Sequence, residues 1–276
     1  MRNLKLEVSA PARTAALSLY PRVFTTALRS QMKYLTAIMI RNLFFVMVLF
    51  IFTSIWRVAY AGRELIAGFT VVQILWYLSF TEVVEMSKSR LMTPIQEEVK
   101  EGTIAYNLLR PYDYIWFYLV RGYGESLVAL VPMLIVGGVA SALLVGPLPG
   151  YASNIGPGIV LMLGGLGLHL MLQIIIGLLA FWMEESFPVY LLIQKMVFIL
   201  GGLFFPIDLF PDWLAGISRN LPFAFITYWP ARLTVNFDGG LWLRALAGQI
   251  IYFALLALLA RALFRAGMKN LESNGG

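Results

Sequence analysis

Four polar side chains stand inside apolar stretches of the sequence and are candidates for chemistry there: Gln73, His169, Gln194 and Lys195. Lys195 is the strongest, because an ionisable residue about 12 Å into an apolar helix is by default a functional-site hypothesis. The alternatives for Lys195 are snorkelling to the surface or a structural pair at a subunit contact. His169 is expected to be a hydrogen-bonded packing residue rather than a proton relay, and the glutamines are expected to join helices.

Motifs for covalent or nucleotide chemistry are missing from the sequence. It has no GxxxxGK[ST] loop for phosphates, no HExxH pair for zinc and no GxSxG turn for a nucleophilic serine. There is no cysteine and only one histidine, which removes thiolate metal sites and most histidine-based sites. We therefore expect no catalytic residue, no metal and no cofactor in this chain.

The charged stretch 91–111, LMTPIQEEVKEGTIAYNLLRP, lies between two long apolar blocks. Thr93 is a good N-cap, Pro94 fits the first helical position, and Gln96 completes a capping box. Gly102 can end the helix in a left-handed conformation. The pattern predicts a short helix, about 12 Å long, from Pro94 to Glu101.

The predicted helix has two different faces. Ile95 and Val99 share one face and Glu97 and Glu101 share another, because each pair is spaced i,i+4. A short, capped, acidic helix in a water-exposed loop is typical of an attachment point for another protein.

The composition is that of an integral membrane protein. The chain is 59% hydrophobic and only 13% charged, whereas soluble domains are about a quarter charged. The net charge of +6 is typical of cytoplasmic segments of a membrane protein and does not indicate nucleic-acid binding.

The hydropathy pattern predicts an all-α protein with a single transmembrane domain over 1–276 and six spans. The segment 1–36 is predicted to be cytoplasmic and interfacial, with an amphipathic helix, and 91–111 is the loop that carries the acidic helix. Each predicted span is near the roughly 20 residues that cross a bilayer. The approximate spans are 37–59, 65–84, 124–145, 159–183, 187–205 and 241–264.

The distribution of basic residues predicts the orientation. Most Lys and Arg residues lie in the N-terminal segment, around the acidic helix and at the C-terminus. The positive-inside rule places these regions, and therefore both termini, in the cytoplasm.

A break in the helical pattern follows the fifth predicted span. Gly202, Pro206, Pro211 and Pro222 interrupt it, and Trp213 belongs to a short apolar stripe among them. Irregular backbone at membrane depth must be covered by protein or line a cavity, so we predict two short helices that dip into, or lie along, the outer leaflet. The alternative is an ordinary outer loop with interfacial aromatic residues.

Several of these features together resemble the membrane subunit of ABC-2 type transporters. The resemblance covers nearly the whole chain, and each motif alone is loose while their order and spacing are more specific. EVKEGTIAYNLLRP resembles the small bacterial branch often encoded as two permeases beside one ATPase. The other matching residues are Glu101-Gly102-Thr103, Gly202, Phe205-Pro206, Pro211, Trp213-Leu214 and Leu221-Pro222.

The resemblance implies a permease subunit of an ATP-driven exporter in the bacterial inner membrane. Two ATPase subunits, which bind ATP and Mg, would dock on two permeases, the second being the same or a different chain. The first cytoplasmic loop would form a coupling helix, and Gln73, His169, Gln194 and Lys195 would be candidates for the translocation path. The implied docking residues are Pro94, Ile95, Glu97, Glu98, Glu101, Gly102 and Thr103.

Two other classes of function remain open from the sequence. A non-transporting membrane scaffold or assembly protein would share the composition but would bind no ATPase through the acidic helix. An intramembrane enzyme is disfavoured by the missing motifs. An apolar path with few charges favours amphipathic drugs, lipids or lipid-linked molecules over small ions as cargo.

Overall fold

The computed structural model describes residues 10–108, 110 and 112–274, with side chains described for residues 19–107, 110 and 112–269. Residues 1–9 of the predicted segment 1–36, and residues 109 and 111 of the predicted loop 91–111, lie outside the described residues. The described part is helical, apart from turns and one isolated bridge between Ile66 and Phe69. The helices are α1 Ala10–Gln31, α2 Leu35–Ala59, α3 Val71–Ser87, α4 Met92–Lys100, α5 Ile104–Leu108, α6 Tyr114–Val145, α7 Tyr151–Leu178, α8 Phe187–Leu200, α9 Asp212–Ser218, α10 Pro222–Ile226, α11 Tyr228–Val235 and α12 Gly239–Asn274.

Four helical stretches of the described residues are long and apolar enough to cross a membrane: Leu19–Ala59, Tyr114–Val145, Tyr151–Phe181 and Gly239–Lys269. The chain is therefore an all-helical integral membrane protein. The second and fifth predicted spans coincide with α3 and α8, which have 17 and 14 residues. These two are shorter than the usual span, so the count of six spans stays a prediction.

Local backbone breaks explain why α3 and α8 are short. The predicted second span begins at residue 65, but residues 65–70 form a turn in which Ala67 and Gly68 have positive φ. Helix α3 starts only after Thr70, whose hydroxyl accepts a hydrogen bond from the Gln73 amide. Helix α8 ends because Gly202 adopts φ +70°, a left-handed conformation that favours glycine.

Helix α7 forms the centre of the bundle. It packs against α12, α11, α4, α10 and α6. Of its most apolar stretch of 18 residues, 72% is buried. Glycines allow this close approach. A Cβ atom at Gly165 would collide with the Ile226 carbonyl oxygen of α10, so backbone can pack on backbone here only without a side chain.

The break after α8 is covered by α3. The hydroxyl groups of Tyr77 and Thr81 donate hydrogen bonds to the carbonyl oxygens of Gly202 and Leu203. The chain then turns at Pro206 into α9 to α11. Side-chain donors from a neighbouring helix thus satisfy backbone groups that the helix break leaves open.

The remaining residues of the predicted break take different positions. Pro211 precedes α9, and Pro222 opens α10. Trp213 on α9 is 68% exposed. Short helices therefore follow α8, and two of them, α10 and α11, pack on α7.

The backbone contact at Gly165 gives a stability prediction. Replacing Gly165 with alanine forces α10 away from α7, and overpacking of this kind costs roughly 1–3 kcal/mol. Thermal unfolding of the purified protein in detergent should show a lower midpoint for Gly165→Ala. Gly156→Ala in the same helix is the matched control, because an added Cβ there meets open space. Equal unfolding midpoints for the two variants would contradict the packing.

Candidate functional site

Helix α4 begins at Met92, two residues earlier than the sequence predicts. Leu91 stands at the N-cap and makes no side-chain cap, so the predicted N-cap role of Thr93 is wrong. The reason is that Gln173 of α7 accepts a hydrogen bond from the Leu91 amide at 2.9 Å and donates one to the Ser89 carbonyl oxygen at 2.7 Å. The predicted end is observed, because Gly102 has φ +69°.

The apolar face of α4 is buried against α7. Ile95 and Val99 belong to one core cluster with Met171, Ile174 and other α7 residues. A Cβ at Gly177 would lie 2.7 Å from the Ile95 Cβ, so this glycine permits the contact. This packing fixes the rotation of α4 and decides which residues face outward.

Glu98, predicted as a docking contact, is half-buried and turned toward the start of α6. Its carboxylate accepts hydrogen bonds from the hydroxyl groups of Tyr118 at 2.6 Å and Tyr114 at 2.9 Å, and from the Asn107 amide at 2.8 Å. Thr103 also donates to the Glu98 carbonyl oxygen at 3.4 Å. Glu98 therefore anchors α4 and α5 to the start of α6.

A third attachment joins α4 to the link between α7 and α8. Gln96 donates to the Glu185 carboxylate at 2.7 Å, and Lys100 approaches the same carboxylate at 3.3 Å. The hydrogen bond from Gln96, followed by that from Lys100, holds the pKa of Glu185 below its ordinary value. Ser186 returns a backbone hydrogen bond to Gln96 at 3.1 Å.

The outward face of α4 and α5 is left open by these attachments. Thr93, Glu97 and Glu101 are exposed, and Tyr106 is 71% exposed. Pro94 is half-buried at the edge of this face. Of the predicted docking residues, the structure leaves Glu97 and Glu101 exposed and buries Ile95; the half-buried ones are Pro94, Glu98, Gly102 and Thr103.

A large cavity of about 1150 Å³ opens beside the start of α4, between α2, α3, α6 and α8. One end is lined by charged groups and the other by apolar side chains. Lining residues at the charged end include Arg41, Glu82, Glu85, Lys88, Arg90, Arg121 and Glu125; at the apolar end they include Phe44, Val48, Ile51, Phe52, Phe198 and Phe204.

Buried ion pairs organise the charged end. Glu85 pairs with Lys88 one turn later and lies 3.5 Å from the Gln194 amide. Glu125 accepts hydrogen bonds from Arg121 at 2.7 Å and from the Ser89 hydroxyl. His169 is buried behind this group, with Nδ1 3.7 Å from a Glu85 oxygen.

The four candidate path residues are not brought together. Gln194 lines the cavity, and His169 lies directly behind Glu85. Lys195 is on the exposed face of α8, with Nζ 5.2 Å from the centre of the Phe198 ring. Gln73 closes a capping box with Thr70 at the start of α3.

The sequence reasoning missed the main charged residues of the cavity. Glu82, Glu85 and Lys88 recur every three residues at the end of an apolar segment, which places them near one face of a helix. That spacing was the available signal. Among the described residues, no group of three or more His, Asp or Glu side chains is placed to hold a metal ion.

The Glu98 cluster gives a second prediction. In Glu98→Ala, hydrogen exchange across residues 92–108 should accelerate roughly tenfold or more, because losing a charged acceptor costs on the order of 1–3 kcal/mol. Glu97→Ala, one residue earlier and exposed, should leave exchange unchanged. Equal acceleration in both variants would mean that Glu98 does not anchor the helix.

The lowered pKa of Glu185 predicts a pH dependence. A carboxyl with a depressed pKa stabilises the folded state above its unfolded pKa and loses this contribution as the pH falls through the folded one. Wild-type protein should therefore unfold at a higher temperature than Glu185→Ala near neutral pH. The difference should shrink as the pH falls below about 4.3, the ordinary carboxyl pKa, and vanish below the lowered pKa of the folded state. Glu184→Ala is the control for an exposed neighbour, and a pH-independent difference for Glu185→Ala would argue against the ionic attachment.

Comparison with known proteins assigns the family. A search of curated proteins finds no match. Residues 34–275 match a family described as "ABC-2 family transporter protein", so the match covers α2 to α12 and all of the described cavity except Gln31. The chain therefore belongs to the ABC-2 family of transporter membrane proteins.

Proposed function

We propose that the chain is the permease subunit of an ATP-driven exporter and that α4 docks on a separate ATPase subunit. The observation that carries this proposal is the way α4 is held. Three sets of contacts bind it to α6, α7 and the α7–α8 link, while its acidic face stays open. A rigid helix with one accessible face is suited to receive force from a partner.

The segment between α3 and α4 connects the docking face to the cavity. Lys88, Ser89 and Arg90 line the cavity, and the chain enters α4 only two residues later. Gln173 and Ser126 hold this segment through its backbone. A displacement of α4 therefore moves the charged wall of the cavity, which supplies a mechanical route from ATP binding to alternating access.

The position of the cavity and the distribution of basic residues support export from the cytoplasm as the direction of transport. Basic residues concentrate around α4 and in the flanking terminal segments, which favours a cytoplasmic position for that end in a bacterial inner membrane. The cavity lies toward this end, so cargo would enter from the cytoplasmic side. Two permeases, the same chain twice or two different chains, would form the complete path with two ATPase subunits.

The docking role predicts a charge-reversal phenotype. Glu97→Lys combined with Glu101→Lys should abolish recovery of an ATPase when the tagged chain is purified from its native membrane in mild detergent. The control is Glu64→Lys with Asp212→Lys, which makes the same charge change on exposed residues outside α4. The control should retain the ATPase. Undiminished recovery with the α4 variant would remove the docking role and favour the scaffold alternative.

A further inference from the structure

The accessible charge in the cavity is positive. The carboxylates of Glu85 and Glu125 are engaged with Lys88 and Arg121, and Glu82 is only 4% exposed. Arg41 and Arg90 are exposed, and neither forms an ion pair with a carboxylate of the described residues. A ligand that enters the cavity therefore meets two guanidinium groups before it meets any free acid.

The two exposed arginines contribute to the same opening of the cavity. Arg41 and Arg90 both line the cavity. Arg41 is oriented by a hydrogen bond from Nη1 to the Met86 carbonyl oxygen at 3.0 Å. Two unpaired guanidinium groups in one opening favour an anion with several oxygen atoms, such as a phosphate group.

The apolar end fits a hydrocarbon chain. The α2 wall from Arg41 to Phe52 rises roughly 16 Å at 1.5 Å per residue. That is about half of the hydrocarbon thickness of a bilayer, so the wall is as long as one leaflet is deep. Phe52, Phe198 and Phe204 pack at its far end, with ring centres 5.3–6.1 Å apart.

One flank of the cavity is open at the apolar outer surface of the helix bundle. Phe44 is 51% exposed and Ile51 is 47% exposed, although both also line the cavity. A molecule in the adjoining leaflet can therefore reach the apolar wall sideways while its head stays level with the arginines.

We propose that the cavity binds an anionic amphiphile, a phosphate-bearing head with an acyl chain, with Arg41 and Arg90 holding the head and the α2–α8 wall holding the chain. This inference rests on the proposed function, since the cavity would be where cargo waits before export. It names the chemical class of the cargo, which the family does not.

Photo-crosslinking tests the site. The purified chain is placed in phosphatidylcholine nanodiscs that contain a small share of phosphatidic acid with a diazirine on its acyl chain. Peptide mapping should locate crosslinks on α2 and α8 around Phe52 and Phe198. Phosphatidylcholine with the same diazirine chain should label these segments weakly.

The variants separate the head from the chain contacts. Arg41→Ala with Arg90→Ala should reduce labelling roughly tenfold, the expected effect of losing two partly exposed charge-assisted contacts. Arg63→Ala with Arg244→Ala, exposed arginines outside the cavity, is the matched control and should label as wild type. Val48→Trp, which fills the apolar wall but keeps both arginines, should also lose the crosslinks.

Several results would overturn the proposal. Labelling spread evenly over all exposed helices, equal labelling by both lipids, or unchanged labelling in the arginine variant would assign the crosslinks to ordinary surrounding lipid. Displacement by excess inorganic phosphate would assign the site to a free anion instead. Since the assay contains no ATPase, loss of ATPase docking in the α4 variant leaves this result unchanged, and failure of one proposal can be distinguished from failure of the other.

Discussion

The side-chain amide of Gln173 is the contact on which the link between α3 and α4 depends. It satisfies one backbone donor and one backbone acceptor of the non-helical segment 88–91, at the buried residues Leu91 and Ser89. In surroundings without water, each such group left unsatisfied costs about 1–3 kcal/mol. Gln173 thus lets the chain leave α3, pass the cavity and enter α4 without losing order.

The buried charges next to this segment have a different physical meaning. Glu85, Lys88 and Gln194 lie together at the edge of an apolar bundle, with His169 behind them. Burying an ion pair costs desolvation free energy, and hydrophobic residues of similar volume would often stabilise the fold as well or better. A buried cluster of charges is therefore weak evidence for a role in stability. In membrane proteins, ionisable residues within helices usually face a polar cavity or a pathway. The cluster therefore belongs with the cavity rather than with the packing of the helices.

The sequence predicted the helical class and the acidic helix better than it predicted which side chains of that helix are exposed. Gly102 and the Ile95/Val99 spacing locate α4 because they are local signals. The sequence could not separate Glu97 from Glu98, because the α7 residues that fix the rotation of α4 and the α6 tyrosines that bind the Glu98 carboxylate lie far along the chain. The start of α4 was misplaced for the same reason, since Gln173 lies far along the chain.

The residues that line the cavity are also difficult to predict from local sequence patterns. The charge of Lys195 within an apolar stretch predicts a functional site, but Lys195 lies on the exposed face of α8 and does not line the cavity. Arg41 and Arg90 are separated in sequence and meet only when α2 packs beside α3. Long-range contacts between helices create this site, and no local pattern records them.

The length of α8 has a consequence for the surrounding bilayer. Its 14 residues measure about 21 Å, well short of the ~30 Å hydrocarbon core that α2 and α12 can match. Hydrophobic mismatch of this kind thins the bilayer locally. A 14-residue helix matches the hydrocarbon core only where the bilayer is thinned, so whether α8 crosses the membrane depends on the thickness of the surrounding lipid.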